Sequence, residues 1–166
     1  MRAMKSILCV DDQEAGLEIR KLLLESLGYS VITVATGAEA VETLRREPVD
    51  LAILDYRLAD ATGEEVANLL KHDHPELPIL LLSGYPSVPE SARAAVDAFV
   101  VKGDPTDAFL RTIESLLASP AAAPAAQPVI STPSGKKGKK IVERSEELMK
   151  RSEALYRRLT HRKYGT

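Results

Sequence analysis

Apolar residues in the first part of the chain gather in short runs that alternate with longer stretches of helical spacing. The runs Ser6–Val10, Ser30–Ala35, Val49–Leu54, Pro78–Leu82 and Ala98–Val101 are aliphatic and β-branched with little polar alternation, which predicts strands buried on both faces. Glu14–Leu27, Gly37–Arg46, Gly63–His72, Val88–Ala95 and Thr106–Ala118 predict helices. Leu17, Leu24 and Leu27 fall on one side of the first, and Ala40, Val41 and Leu44 repeat that spacing in the second. Five strand–helix pairs in strict alternation predict an α/β fold, a doubly wound five-stranded parallel sheet with helices on both faces. Gly28 is a helix stop, Thr36-Gly37 and Asp60–Gly63 are turn chemistry, and Pro78 opens a strand where its missing donor is tolerated.

The pattern breaks at Ser119. Repeated prolines among alanines forbid a continuous helix, and Gly135-Lys-Lys-Gly-Lys-Lys140 follows as a basic knot, so 1–118 reads as the globular domain and 119–140 as a flexible linker. Residues 141–166 return to helix formers, with glutamates early and Arg157 and Arg158 late. Ile141, Leu148 and Leu155 are spaced by sevens, but Ser145 and Ser152 occupy the intervening seam. The expectation is a basic amphipathic tail that firms up against a partner, not an isolated coiled coil.

Charge sharpens this division. Residues 1–120 hold 11 Lys and Arg against 20 Asp and Glu, and residues 121–166 hold 11 against 4, so an acidic globule precedes a basic segment. A lone cysteine, Cys9, excludes a disulfide framework within the chain and sits in an apolar run as a buried thiol would. The start Met1-Arg-Ala-Met-Lys-Ser is followed by too few apolar residues for a signal peptide, and no run approaches a membrane span. The expected location is cytoplasmic.

In an open parallel sheet, chemistry gathers at the carboxyl ends of the strands. Asp11 and Asp12 follow the first run, Asp55 the third, Ser83-Gly84 the fourth and Lys102-Gly103 the fifth. Three crowded carboxylates repel unless a hard cation with oxygen ligands joins them, and Mg²⁺ fits because it accepts a few carboxylates and keeps waters. One carboxylate can then attack phosphorus while a lysine and a hydroxyl hold the phosphoryl oxygens.

With these residues in place, the chain from about Ser6 to Ala118 resembles the bacterial two-component response regulators, specifically their CheY-like receiver domain with its flavodoxin-like (βα)5 fold. The resemblance implies that Asp55 is the phosphoacceptor and Asp12 a direct Mg²⁺ ligand. It also implies that Asp11 acts mainly through water and that the Arg57 carbonyl completes the metal shell. Ser83 matches the hydroxyl of the switch, Phe99 its aromatic partner and Lys102 the lysine of the site. Arg57 and Tyr85 match the positions that flank the path of the hydrolytic water, and their bulk is expected to slow loss of the phosphoryl group. The chain departs from the family in having Ala59 in place of a proline and Gly103 where a proline usually follows the lysine.

The implied function is phosphorylation-dependent signalling through protein contacts. The donor would be a sensor histidine kinase or phosphotransfer protein, the target a downstream protein, and a homodimer is compatible. Turnover is expected only as self-phosphorylation and slow autodephosphorylation. Two alternatives stay open: a nucleic-acid-associated regulator using Lys136, Lys137, Lys139 and Lys140 of the tail, and an unphosphorylated pseudo-receiver adaptor. A phosphatase with a nucleophilic aspartate fits poorly, because Arg57 stands where its second acid belongs. Asp11-Asp12 taken alone would cap a helix, and His72 and His74 suit a helix C-terminus better than a metal.

Overall fold

The five apolar runs become five parallel strands of one sheet, each followed by a helix: β1 Ser6–Val10, α1 Glu14–Ser26, β2 Ser30–Val34, α2 Gly37–Arg46, β3 Leu51–Asp55, α3 Gly63–Asp73, β4 Ile79–Ser83, α4 Glu90–Ala94, β5 Ala98–Val101 and α5 Thr106–Ala118. This computed structural model describes residues 4–118. The expected linker, the tail helix and its four lysines lie outside the described residues.

The strand order is β2-β1-β3-β4-β5, so β1 and β3 are neighbours although β2 lies between them in sequence. Every residue of β3 and β4 is buried, as the uninterrupted apolar runs require. Leu8, Val10, Ala52, Leu54, Ile79 and Leu81 form one face of the sheet and pack with Ala40 and Leu44 of α2, Val66, Ala67 and Leu70 of α3 and Ala92 of α4. By strand alternation, Ile7, Cys9 and Ile53 point to the opposite face, where α1 and α5 bring Leu17, Leu24, Phe109 and Ile113. Leu27 is only half-buried, and Leu23 takes the inward place that spacing had given to it.

Two boundaries differ from the sequence expectation in a way that bears on function. β3 and β4 run one residue further, to Asp55 and Ser83, because parallel pairing continues past the apolar run: the Tyr56 N–H donates to the Leu82 carbonyl at 2.7 Å and the Lys102 N–H to the Ser83 carbonyl at 2.8 Å. α4 is shorter than expected. Val88 and Pro89 stay outside it, Val88 packs on the core, and the Pro89 carbonyl accepts from Ala92 and Arg93. Gly28 has φ +90°, the left-handed conformation that ends a helix.

The loop from Tyr56 to Thr62 is closely tethered. The Leu58 N–H donates to the Ala61 carbonyl at 3.1 Å, and Arg57 bridges antiparallel to Thr62. Thr62 caps α3 in a reciprocal box with Glu65. The carboxylate of Asp60 crosses to α2 and accepts from the N–H groups of Gly37 at 3.0 Å and Ala38 at 3.2 Å. The loop therefore keeps a fixed shape with Ala59 where the family has proline.

Candidate functional site

Pairing β1 beside β3 brings their carboxyl ends together, and the acids that follow or end those strands meet there. Carboxylate oxygens of Asp11, Asp12 and Asp55 all lie within 4.8 Å of one another. Asp11 is fully buried, Asp55 is 6% exposed, and Asp12 faces solvent. An all-oxygen set of three carboxylates open to water on one side suits a hard divalent cation of the Mg²⁺ type.

Lys102 reaches this cluster from the end of β5, two strands from Asp55. Its Nζ lies 2.9 Å from Asp11 Oδ2 and 3.2 Å from Asp55 Oδ2, bridging two of the three acids. Gly103 does not misdirect it. The turn after β5 is held by the Asp104 N–H on the Val101 carbonyl at 3.0 Å and by the Asp104 carboxylate on the Val101 N–H at 3.2 Å. Pro105 opens α5, its carbonyl accepting from Ala108.

Asp11 does not cap α1; Gln13 holds the cap position, and its side chain makes no capping bond. Asp11 Oδ1 accepts the Gln13 N–H at 2.9 Å, while Oδ2 is shared by Lys102 and the guanidinium of Arg20 from α1. Burial pushes the Asp11 carboxyl upward, but Arg20, the Gln13 N–H and Lys102 outweigh it and hold the group below the usual carboxylate range. Asp55 goes the other way. Burial and the neighbouring Asp11 charge raise its pKa, and Lys102 and the Arg57 N–H only partly offset them.

Ser83 is buried at the end of β4, and its Oγ accepts the Tyr85 N–H at 3.0 Å. Register pairs Ser83 with Val101 and Leu81 with Phe99 across β4 and β5. Phe99 is half-buried against the core, with the Arg93 guanidinium 4.7 Å from its ring centroid. Arg57 and Tyr85 meet across the loops after β3 and β4, the guanidinium 5.1 Å from the Tyr85 ring centroid and one nitrogen 3.4 Å from the hydroxyl.

His72 lies in the last turn of α3 and His74 caps its end, away from the acids. Cys9 is fully buried, and burial pushes its thiol to about 12, which keeps it inert at neutral pH. No helix among the described residues is long and apolar enough to cross a membrane.

Sequence reasoning missed Arg20 and the tether at Asp60. Arg20 falls between Leu17 and Leu24 along the inward face of α1, but an arginine there can equally reach out to water. Asp60 acts across 22 and 23 positions of sequence and left no local trace.

Comparison with known proteins agrees with this geometry. Residues 7–114 match the family model of the response regulator receiver domain. The transcriptional regulatory protein GlrR of Escherichia coli is 34% identical over 114 residues, 67% of this chain but only 26% of GlrR. The polar-differentiation response regulator DivK of Brucella ovis is 28% identical over 118 residues, covering 68% of this chain and 96% of DivK. Among solved structures, the response regulator TrrA of Thermotoga maritima, in complex with Mg²⁺ and BeF, is similar with a TM-score of 0.65 and 32% identity. That match covers 68% of this chain and 99% of TrrA.

Proposed function

The chain belongs to the response regulator receiver domain family, and on that premise we propose that it accepts a phosphoryl group on Asp55 and signals through protein contacts. The observation that carries this reading is the position of Lys102, whose amine bridges the most buried acid and the acid at the end of β3. A lysine held there is poised to take an oxygen of a phosphoryl group placed on Asp55.

In the proposed reaction a carboxylate oxygen of Asp55 attacks the phosphorus of the donor. The bond from phosphorus to the donor's leaving group breaks, and an acyl phosphate remains on Asp55. A bound Mg²⁺ would neutralise charge between the acids and the phosphoryl oxygens, held by Asp12, Asp55 and the Arg57 carbonyl. Asp11, with both oxygens already engaged, suits contact through water. The Lys102 amine moves from Asp55 to the phosphoryl group. The Ser83 hydroxyl turns toward it, and Phe99 follows into the space released.

Arg57 and Tyr85, stacked on each other in the loops that follow β3 and β4, would hinder the approach of water in line with the Asp55–phosphorus bond. A histidine kinase or phosphotransfer protein would serve as donor, in a cytoplasmic setting, and a downstream protein as target. Beyond slow loss of its own phosphate, no external substrate would be turned over. The nucleic-acid alternative rests on lysines outside residues 4–118 and gains no support from the described domain.

The test is incubation with Mg²⁺ and acetyl phosphate, or with beryllofluoride. Wild type should gain one phosphoryl mass, or a beryllofluoride-dependent spectral change, that Asp55→Asn lacks. An equal change in Asp55→Asn, or none in wild type, would overturn the reading.

A further inference from the structure

One charged residue at the site belongs to none of the roles assigned above. Arg20 lies one face inward on α1, its side chain only 13% exposed and its guanidinium paired with the fully buried Asp11. Its Nε is buried and finds no acceptor among the described residues. An arginine in that position is a costly arrangement, since an unpaired buried donor loses its hydration without compensation. Gly16, one turn earlier, lies beside the pair, where a methyl would make ordinary contact at 3.4 Å from the guanidinium and 3.5 Å from Asp11 Oδ2.

The two cations on Asp11 have different freedom. Lys102 sits at a strand end, also touches Asp55, and can leave for an incoming phosphoryl group. Arg20 is held on α1, its side chain 13% exposed, and among the described residues Asp11 is the acid it pairs with. It is a permanent positive charge beside a cluster that must otherwise take a divalent cation.

We propose that Arg20 is a positioning residue of the metal site, a built-in counter-charge that fixes Asp11 and weakens the hold of the acidic cluster on Mg²⁺. The inference rests on the reading of Asp11, Asp12 and Asp55 as a metal site and deepens it. Three acids with two cations already among them attract a divalent ion less than three acids with one. The site would then take the metal firmly only when phosphoryl oxygens add their own negative charge. Metal occupancy and phosphorylation become mutually dependent, with Arg20 setting how strongly.

The experiment is a Mg²⁺ titration of the full chain at pH 8, read by calorimetry and by intrinsic tyrosine fluorescence. Wild type is compared with Arg20→Met, Arg20→Gln and Arg20→Lys, and far-UV circular dichroism checks that each variant is folded. Removing one charge a few ångström from the ion should tighten binding by about tenfold in both neutral variants. Arg20→Lys, which keeps the charge, should stay within about twofold of wild type on the same electrostatic argument. Sorting by charge and not by shape is a result that a purely structural role would not give, and Arg20→Gln retains a donor for Asp11 should Arg20→Met fail to fold. Equal or weaker Mg²⁺ binding in the folded neutral variants overturns the inference alone. If neither wild type nor the neutral variants bind Mg²⁺, or Asp12→Ala binds it as well as wild type, the metal-site reading falls and the inference falls with it.

Discussion

Replacing Asp60 by alanine isolates the contribution of a single carboxylate to the architecture of the loop that follows Asp55. Its two oxygens satisfy the Gly37 and Ala38 N–H groups, while Thr36 takes the Glu39 N–H at 3.2 Å. Together they leave the first turn of α2 with its free donors paired. Loss of a capping side chain costs about 1 kcal/mol, within a usual span of roughly 0.5–2. The Asp60 side chain is exposed and only its bond from Gly37 is part-buried, so the lower half of that span is the expectation, a fall of about 2–5 °C in Tm. Hydrogen bonding from Gly37 and Ala38 holds the Asp60 carboxyl below its ordinary value. A depressed carboxylate stabilises the fold above its unfolded pKa, and that contribution is lost as pH falls through the folded one. The difference between wild type and Asp60→Ala in urea unfolding should therefore be full at pH 7 and shrink steadily below pH 4. Asp60→Asn, which keeps a capping oxygen without the charge, should fall between them. A gap between wild type and Asp60→Ala that stays constant from pH 7 to pH 3 would refute the charge-to-backbone account.

Four further outcomes follow from the same geometry. Gly63→Ala would bring a Cβ to 2.5 Å from the Asp55 carbonyl and 2.6 Å from a Leu81 methyl. It should cost about 1–3 kcal/mol in urea unfolding and slow phosphorylation by acetyl phosphate, because β3 has to shift. Asp55 is raised by burial and by Asp11, so its ionised form opposes folding once pH exceeds its unfolded value. Asp55→Asn should therefore raise the urea midpoint of the metal-free domain at pH 7 and lose that advantage below pH 4. The double variant Arg57→Ala/Tyr85→Ala should lose its phosphoryl group roughly threefold faster or more, followed by mass spectrometry; an unchanged half-life removes water screening from their role. Arg93→Ala frees the Phe99 ring from a contact worth about 0.5–1 kcal/mol, so beryllofluoride should bind about two- to fivefold tighter, measured by fluorescence.

Much of this was legible in the sequence for physical reasons. Buried parallel strands must be apolar throughout, and Leu51–Leu54 and Ile79–Leu82 have no other use for such runs. The apolar pattern stops before Asp55 and Ser83 because each is polar, whereas the backbone ladder is indifferent to the side chain and includes them. α4 is shorter than its apolar pattern suggests, because Val88 has helical spacing in sequence yet packs on the core from the loop before Pro89. The convergence of Asp11, Asp12, Asp55 and Lys102 followed from strand-end positions alone. How Asp11 is held did not, since an arginine on α1 can equally face water, and only the packed helix shows that Arg20 turns inward.

Lys102 and Asp11 are 91 positions apart, and the strands that bear Asp11 and Asp55 touch only because a third strand has been passed to the outside of the sheet. A chain still emerging from the ribosome, or one clipped before its fifth strand, would carry the acids without their amine. On the proposed function, reactivity toward a phosphodonor would report that the domain has been finished, and unfinished copies would stay silent.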